Sequence, residues 1–374
     1  MKILQIVQTL DPKVGGVASA VRALSRGLAR RGHKIDIATL DEPNAFPNED
    51  VDLAIHALGH GLTSYRYSGA FAKWLREHAG GFDRVIVNGI WQHQSFATWQ
   101  QFHRSSTPYY VFPHGMLDPW FKRTFPLKHL KKWLYWPWAE YRVLRDAAAV
   151  IFTSEEERLQ ARESFWLYRC NESVSPLGIE PPPESLGARE TFYAKYPQVR
   201  NKPTLLFLGR LHPKKGCDML LDVFPRGSDF ALVLAGPDQL GWEHELRRRI
   251  DVDLAQRVIF TGMLEGEMKQ GALAAADAFI LPSHQENFGM AVVEALAAGV
   301  PVLISNRINI WREIEADHAG FVEDDDLTGT TRLIERWRDA PLPLREEMRA
   351  NAQKCFANRF HIERAVDSLL SILQ

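Results

Sequence analysis

A chain of 374 residues exceeds one ordinary core and suits two domains of about 150 to 200 residues each. With 24% charged and 45% apolar residues it reads as a soluble globular protein, and no uninterrupted apolar stretch reaches the roughly 18 residues that would suggest a membrane-spanning helix. Residues 1–178 hold 22 Lys/Arg against 17 Asp/Glu and the remainder 23 against 29, a balance too even for a nucleic-acid-binding protein that leaves a mildly basic first half.

The opening residues Met1-Lys2-Ile3-Leu4-Gln5-Ile6-Val7 alternate like a strand and lack the length and flanks of a signal peptide, so the expected location is the cytoplasm. Further strands are expected near 34–39, 84–88, 109–112 and 148–152. Between the opening strand, near 2–8, and the one near 34–39 lies a helix whose Val17, Ala20, Val21, Leu24 and Leu28 share one face and whose Gly32 suits a C-cap. Between that opening strand and the helix stand Gly15 and Gly16. They allow close approach of a ligand to the helix N-terminus, or simply make a tight turn. The full Gly-x-Gly-x-x-Gly pattern is absent, which argues against a nicotinamide enzyme.

Prolines 181–183, 197 and 203 mark residues 179–203 as an interdomain linker. The strand pattern then restarts near 204–208, 230–235, 257–260, 277–281 and 300–304. The fold class expected is α/β: two Rossmann-like, doubly wound domains facing a cleft, with ligands at the carboxyl ends of strands. After the first strand of the second half comes Gly209-Arg210-Leu211-His212-Pro213-Lys214-Lys215-Gly216. Arg210, as a planar fork, and Lys215, as a point charge, suit the two phosphates of a nucleoside diphosphate; two solvated loop cations are the plainer alternative. A later strand leads into Glu286-Asn287-Phe288-Gly289-Met290-Ala291-Val292-Val293-Glu294. Glu286 falls at the strand's end and Glu294 inside a helix, so the two carboxylates can serve different hydroxyls of one ligand.

The run Ala276 to Ser283, Glu286-Asn287-Phe288-Gly289, Glu294-Ala295 and Gly299-Val300-Pro301-Val302, with Gly209-Arg210-Leu211, Lys215-Gly216 and Gly15-Gly16, resembles the large retaining glycosyltransferase family called group 1, or family four. The resemblance covers nearly the whole chain. It implies a GT-B architecture: an N-terminal acceptor-binding domain of residues 1–178 joined by a returning helix within 357–374, and a sugar-nucleotide domain of residues 204–356. It implies that Arg210 and Lys215 hold the donor diphosphate, Glu294 the nucleotide ribose, Glu286 with the Asn287-Phe288-Gly289 backbone the transferred sugar, and the Gly16 amide a phosphate. His114, in Pro113-His114-Gly115-Met116, is similar to the family's His-Gly element at the donor sugar, and a structural histidine is the alternative for it and for His93.

The same resemblance implies retention at the anomeric carbon, a nucleotide-diphosphate sugar (UDP or GDP type unresolved) as co-substrate, no other cofactor, and a glycan or lipid-linked acceptor in cell-surface polysaccharide assembly. One loop departs from it: Asn306-Arg307-Ile308-Asn309-Ile310-Trp311-Arg312-Glu313 stands where many members have Gly-Gly-x-x-Glu. No metal is expected, since Asp50-Val51-Asp52 and Asp251-Val252-Asp253 follow no clear apolar strand and read as surface acids.

Residues 121–145 carry Lys122, Arg123, Lys128, Lys131, Lys132, Arg142 and Arg145 against Glu140 alone, interleaved with Trp133, Tyr135, Trp136, Trp138 and Tyr141. Lys131, Lys132, Trp133 and Trp136 are the candidate contacts to an acceptor or to an anionic membrane on the inner face of the cell; a packed helical insertion broken at Pro137 is the alternative. A donor site alone would equally serve an epimerase, a hydrolase or a noncatalytic scaffold.

Overall fold

The structure is a computed structural model, described over residues 1–11, 15–43, 45, 53–124, 126–183 and 185–374. The chain divides into two compact units, Met1–Glu180 with His361–Gln374, and Pro181–Phe360.

The first unit is a parallel sheet of β1 (Lys2–Val7), β2 (Lys34–Thr39), β3 (Leu53–Ala57), β4 (Arg84–Asn88), β5 (Tyr109–Phe112), β6 (Ala149–Phe152) and β7 (Glu172–Val174), in the order β3-β2-β1-β4-β5-β6-β7. β1, β4, β5 and β6 are almost wholly buried, which is why they read as apolar runs rather than as alternation. Helix Gly16–Arg30 lies beside the final helix, Ile362–Leu373, which has returned to this unit. Gly27 permits the approach: a Cβ there would sit 2.5 Å from a Val366 methyl. Arg30 and Arg31 both pair with Glu363, at 3.2 and 2.9 Å.

The second unit repeats the plan with β8 (Thr204–Leu208), β9 (Ala231–Ala235), β10 (Val258–Gly262), β11 (Ala278–Leu281), β12 (Val302–Ser305) and β13 (Gly320–Glu323), ordered β10-β9-β8-β11-β12-β13. Every adjacent pair in both sheets is parallel. β12 starts two residues later than the apolar run Val300-Pro301 suggests. Gly299 at φ +70 closes the preceding helix, its N–H bonding Leu296 O and that of Val300 bonding Ala295 O, the paired bonds of a Schellman ending.

The segment read as a linker is folded from Pro181 onward as part of the second unit. Its prolines bar a helix only locally; Gly187 at φ +95 then starts helix Ala188–Lys195, which packs on helix Gly266–Ala275 so closely that a Cβ on Gly271 would lie 2.2 Å from Ala188 O.

Candidate active site

In each sheet the strand order reverses at its first strand: between β1 and β4 in one unit, β8 and β11 in the other. Loops leaving neighbouring strands on opposite sides there open a crevice at the carboxyl ends, the usual ligand position in such sheets.

In the second unit that point brings the predicted residues together. The loop after β8 carries Arg210 and Lys215, and the loop after β11 carries Glu286. Gly216, at φ +71, lies so close to the second loop that a Cβ would meet Pro282 O at 2.3 Å. Lys214 O accepts hydrogen bonds from His284 N–H at 2.8 Å and Ser283 Oγ–H at 3.0 Å, which fastens the two loops. Lys215 Nζ thereby reaches the Glu286 carboxylate and forms an ion pair with it. Burial, and then the like charges of Lys214 and Arg210, pull the Lys215 ammonium down to about 7. The Glu286 carboxylate opposes that pull. Arg210 is exposed, bonded only loosely to Gln239 at 3.4 Å.

Glu294 sits in helix Met290–Ala297, whose N-terminus is set by Gly289 at φ +74. It is partly exposed and pairs with Lys269 at 2.8 Å, which removes the penalty an acid among Val292, Val293, Ala295 and Leu296 would otherwise carry. Phe288 points into the core, edge-on to Phe360 at 5.6 Å, so only its backbone is available to a ligand.

The departing loop 306–309 is spliced to Glu286 by backbone. Glu286 N–H bonds Arg307 O at 3.0 Å, and Asn309 N–H bonds Glu286 O at 3.1 Å. Those amides are consumed internally, while buried Asn309 reaches Asn287 Oδ1 with its side-chain NH2 at 3.4 Å. Lys269 and Asn309 were not singled out from sequence. Each lies on an element distant in the chain from its partner, Glu294 for Lys269 and Asn287 for Asn309, and no local spacing announces such a pair.

In the first unit His114 follows β5 with φ +49, a conformation rare for a non-glycine residue, and its ring stacks on Phe112. Nε2 lies 3.0 Å from Asn88 Oδ1, whereas Nδ1 is buried without a hydrogen-bond partner. Burial pulls the imidazole down to about 4, so the ring is neutral at physiological pH. Gly15 precedes helix Gly16–Arg30 at φ +148, leaving the Gly16 amide exposed at an N-terminus with no side-chain cap. His93 is structural: its Nδ1 accepts Ser68 N–H at 3.2 Å, among Tyr65, Tyr67 and Phe71.

The basic aromatic segment is three helices, Trp120–Thr124, Pro126–Tyr135 and Glu140–Arg145, and it divides its candidates. Trp136 is no surface contact. It is 1% exposed, stacks on Phe165 with ring centres 4.5 Å apart and donates its indole N–H to Trp166 O at 2.8 Å. Buried indole needs such an acceptor, and here the core supplies one. Lys132 folds back over the Trp91 ring, 4.6 Å from its centre. Lys131 and Trp133 do face outward, beside a groove of about 560 Å³ lined by Lys122, Leu130, Trp133 and Trp166 among others.

Asp50-Val51-Asp52 lies outside the described residues; Asp251 and Asp253 bond Arg226 and Arg257. Among the described residues no three His, Cys, Asp or Glu cluster as a metal site, and no helix is long and apolar enough to cross a membrane.

Comparison with known proteins adds three findings. The family pattern described as glycosyl transferases group 1 matches residues 188–355, and that of the glycosyl transferase 4-like domain matches residues 15–171. A GDP-mannose-dependent alpha-mannosyltransferase of Mycolicibacterium smegmatis is 30% identical over 324 residues, 81% of this chain and 79% of the relative. The fold is that of sucrose-phosphate synthase from Thermosynechococcus elongatus (TM-score 0.83, 20% identity, 100% and 98% of the two chains covered) and of Anabaena HepE in complex with UDP-glucose (TM-score 0.78, 18% identity, 100% and 99%).

Proposed function

Because the chain belongs to the group 1 glycosyl transferase family, with two parallel-sheet Rossmann-like units of the GT-B kind, we propose that it is a retaining, metal-independent hexosyltransferase. Its donor is a nucleotide-diphosphate sugar, and its acceptor is a hydroxyl of a glycan or lipid-linked glycan in cell-surface polysaccharide synthesis. The observation that carries this reading is the placement of Arg210, Lys215 and Glu286 together at the switch point of the second sheet. The GDP-mannose dependence of one relative and the UDP-glucose bound to HepE support a nucleotide sugar as donor.

Arg210 and Lys215 meet the charge that develops on the departing diphosphate, a task for which one well-placed donor is worth about 2.7 to 4 kcal/mol. Glu294 accepts the ribose hydroxyls, and Glu286 with the Asn287-Phe288-Gly289 backbone takes the transferred sugar. The Gly16 amide meets a phosphate. His114, neutral, offers hydrogen bonding rather than charge to the sugar. No protein nucleophile is assigned; the acceptor attacks from the face the leaving group departs, and a donor phosphate oxygen takes its proton. The groove beside Lys131 and Trp133 and the exposed Leu127, Leu130, Leu134 and Trp138 suit an anionic bilayer, which supports a peripheral position on the inner membrane face.

Incubation of purified protein with UDP- and GDP-hexoses, with and without a lipid-linked glycan acceptor, tests the reading. Acceptor-dependent transfer with an unchanged anomeric configuration is expected, and Glu286→Gln abolishes it. Donor consumption that needs no acceptor would instead mark an epimerase or hydrolase.

A further inference from the structure

We propose that Glu157 is a positioning residue for His114, its buried carboxylate tying the His114-Gly115 turn after β5 to the end of β6. The inference rests on the role given to His114 above.

Ser154-Glu155-Glu156-Glu157 has the Ser-x-x-Glu spacing of a capping box, and Ser154 Oγ does accept Glu157 N–H at 3.1 Å. In the reciprocal box the glutamate would return to the N-cap's own N–H. Here it is diverted. Oε2 accepts both the N–H and the Oγ–H of Thr153 at 2.7 Å, and Oε1 accepts Gly115 N–H at 2.5 Å. Glu157 is 3% exposed, so these are charge-assisted bonds made away from water, the strong kind.

What they hold is strained. His114 at φ +49 and Gly115 at φ +76 are consecutive left-handed residues, and a histidine stays there only where its surroundings over-determine the turn. Asn88 grips the ring at 3.0 Å and Glu157 grips the backbone one residue on. Both carboxylate oxygens face donors. A glutamine at 157 keeps its one carbonyl oxygen on the two Thr153 donors and turns its NH2 against the single Gly115 N–H. Release of Gly115 lets the turn relax and the imidazole leave its burial.

The test uses the full chain with ring-¹⁵N histidine, the His114 resonance being assigned by its loss in His114→Ala. In the wild type His114 stays neutral down to about pH 5. In Glu157→Gln it titrates near the ordinary value of about 6.5. Transfer kcat falls about tenfold to a hundredfold, while donor KM and nucleoside diphosphate binding, to which His114 is not assigned, change less than about twofold. Thr153→Val, which removes one hydroxyl donor at nearly constant shape, moves both readouts part of the way and stands in should Glu157→Gln fail to fold. An unchanged His114 titration with wild-type kcat in the variant that folds overturns the proposal. Wild-type turnover by His114→Ala would instead remove His114 from the reaction while the NMR arm still decides what Glu157 holds.

Discussion

Lys269 Nζ lies 2.8 Å from Glu294 Oε1 and joins helix Gly266–Ala275 to helix Met290–Ala297. Both side chains are about a third exposed, so as a stabilising contact the pair is worth only about 0 to 1 kcal/mol. With one carboxylate oxygen held by the ammonium, the other is left in a fixed direction, which suits the ribose hydroxyl proposed for it. Glu294→Gln should therefore erase the preference for a ribonucleoside diphosphate over its 2′-deoxy analogue, and Lys269→Met should shrink it, each at a stability cost of no more than about 1 kcal/mol. Calorimetric titration with UDP, GDP and their deoxy forms checks this. Equal discrimination by wild type and Glu294→Gln would sink the ribose assignment.

A second expectation follows from Lys215, which burial and neighbouring cations bring down to about 7 while Glu286 sits on its Nζ. On the proposed assignment it is the charged ammonium that binds diphosphate, so the competent form is present below that value and is depleted as pH rises through it. A bound diphosphate restores the proton, so binding takes up a proton above pH 7, and affinity should weaken by at most about tenfold per pH unit there. Lys215→Met should bind more weakly at every pH with a flatter profile. Titrations at pH 6, 7.5 and 9 decide it; a wild-type profile as flat as the variant's would remove Lys215 from the clamp.

How legible these features were depended on burial. β1, β4, β5, β6, β8, β9, β11 and β12 lie inside their sheets and appear in the sequence as short apolar runs. The strands with no sequence assignment, Leu53–Ala57, Glu172–Val174 and Gly320–Glu323, are all outer strands, short and partly exposed, with His56, Glu172 and Glu323 breaking the apolar pattern. In the site, Arg210, Lys215, Glu286 and His114, legible beforehand, lie in segments directly after strands, and Glu294 lies in the helix that follows one. Glu157, Lys269 and Asn309 were not legible, because their partners come from other elements. Glu157 came nearest: Ser154-x-x-Glu157 is visible as a capping box, but its reach to Gly115 depends on β5 lying next to β6.

The aromatic segment shows the converse failure, since composition gave no direction to its side chains. Trp136 is core and Trp133 surface, and the two should separate cleanly in experiment. Trp136→Ala removes a buried ring and should cost about 3 to 5 kcal/mol of unfolding free energy. Trp133→Ala and Trp166→Ala, at sites 42% and 50% exposed, should each cost less than about 1 kcal/mol. The exposed pair should instead weaken co-sedimentation with vesicles containing anionic phosphatidylglycerol, as should Lys131→Glu, with little binding to neutral phosphatidylcholine in any case. Undiminished sedimentation of the Trp133, Trp166 and Lys131 variants would refute the membrane reading.

Glu140 offers a test that needs no substrate. The residue is fully buried; Oε1 accepts Trp91 N–H and Ser95 Oγ–H, both at 2.9 Å, while Oε2 is buried without a partner. Burial raises its carboxyl to about 7, against the two hydrogen bonds and Lys132, which favour the charged form. Between about pH 4.5 and 7 the folded protein keeps a proton that the unfolded chain has lost. Stability from this group is therefore greatest below the unfolded value and declines as pH rises through the folded one, by at most about 3 kcal/mol. Glu140→Gln cannot ionise, so the difference in unfolding free energy between wild type and variant should shift in the variant's favour from pH 5 to pH 8. Denaturant unfolding at those two values measures it, and a difference that stays constant would show that Glu140 ionises in the fold as it does in water. Because Trp91 N–H, at φ +72 in the loop after β4, hangs on this carboxylate, the same titration should also move Trp91 fluorescence between those pH values.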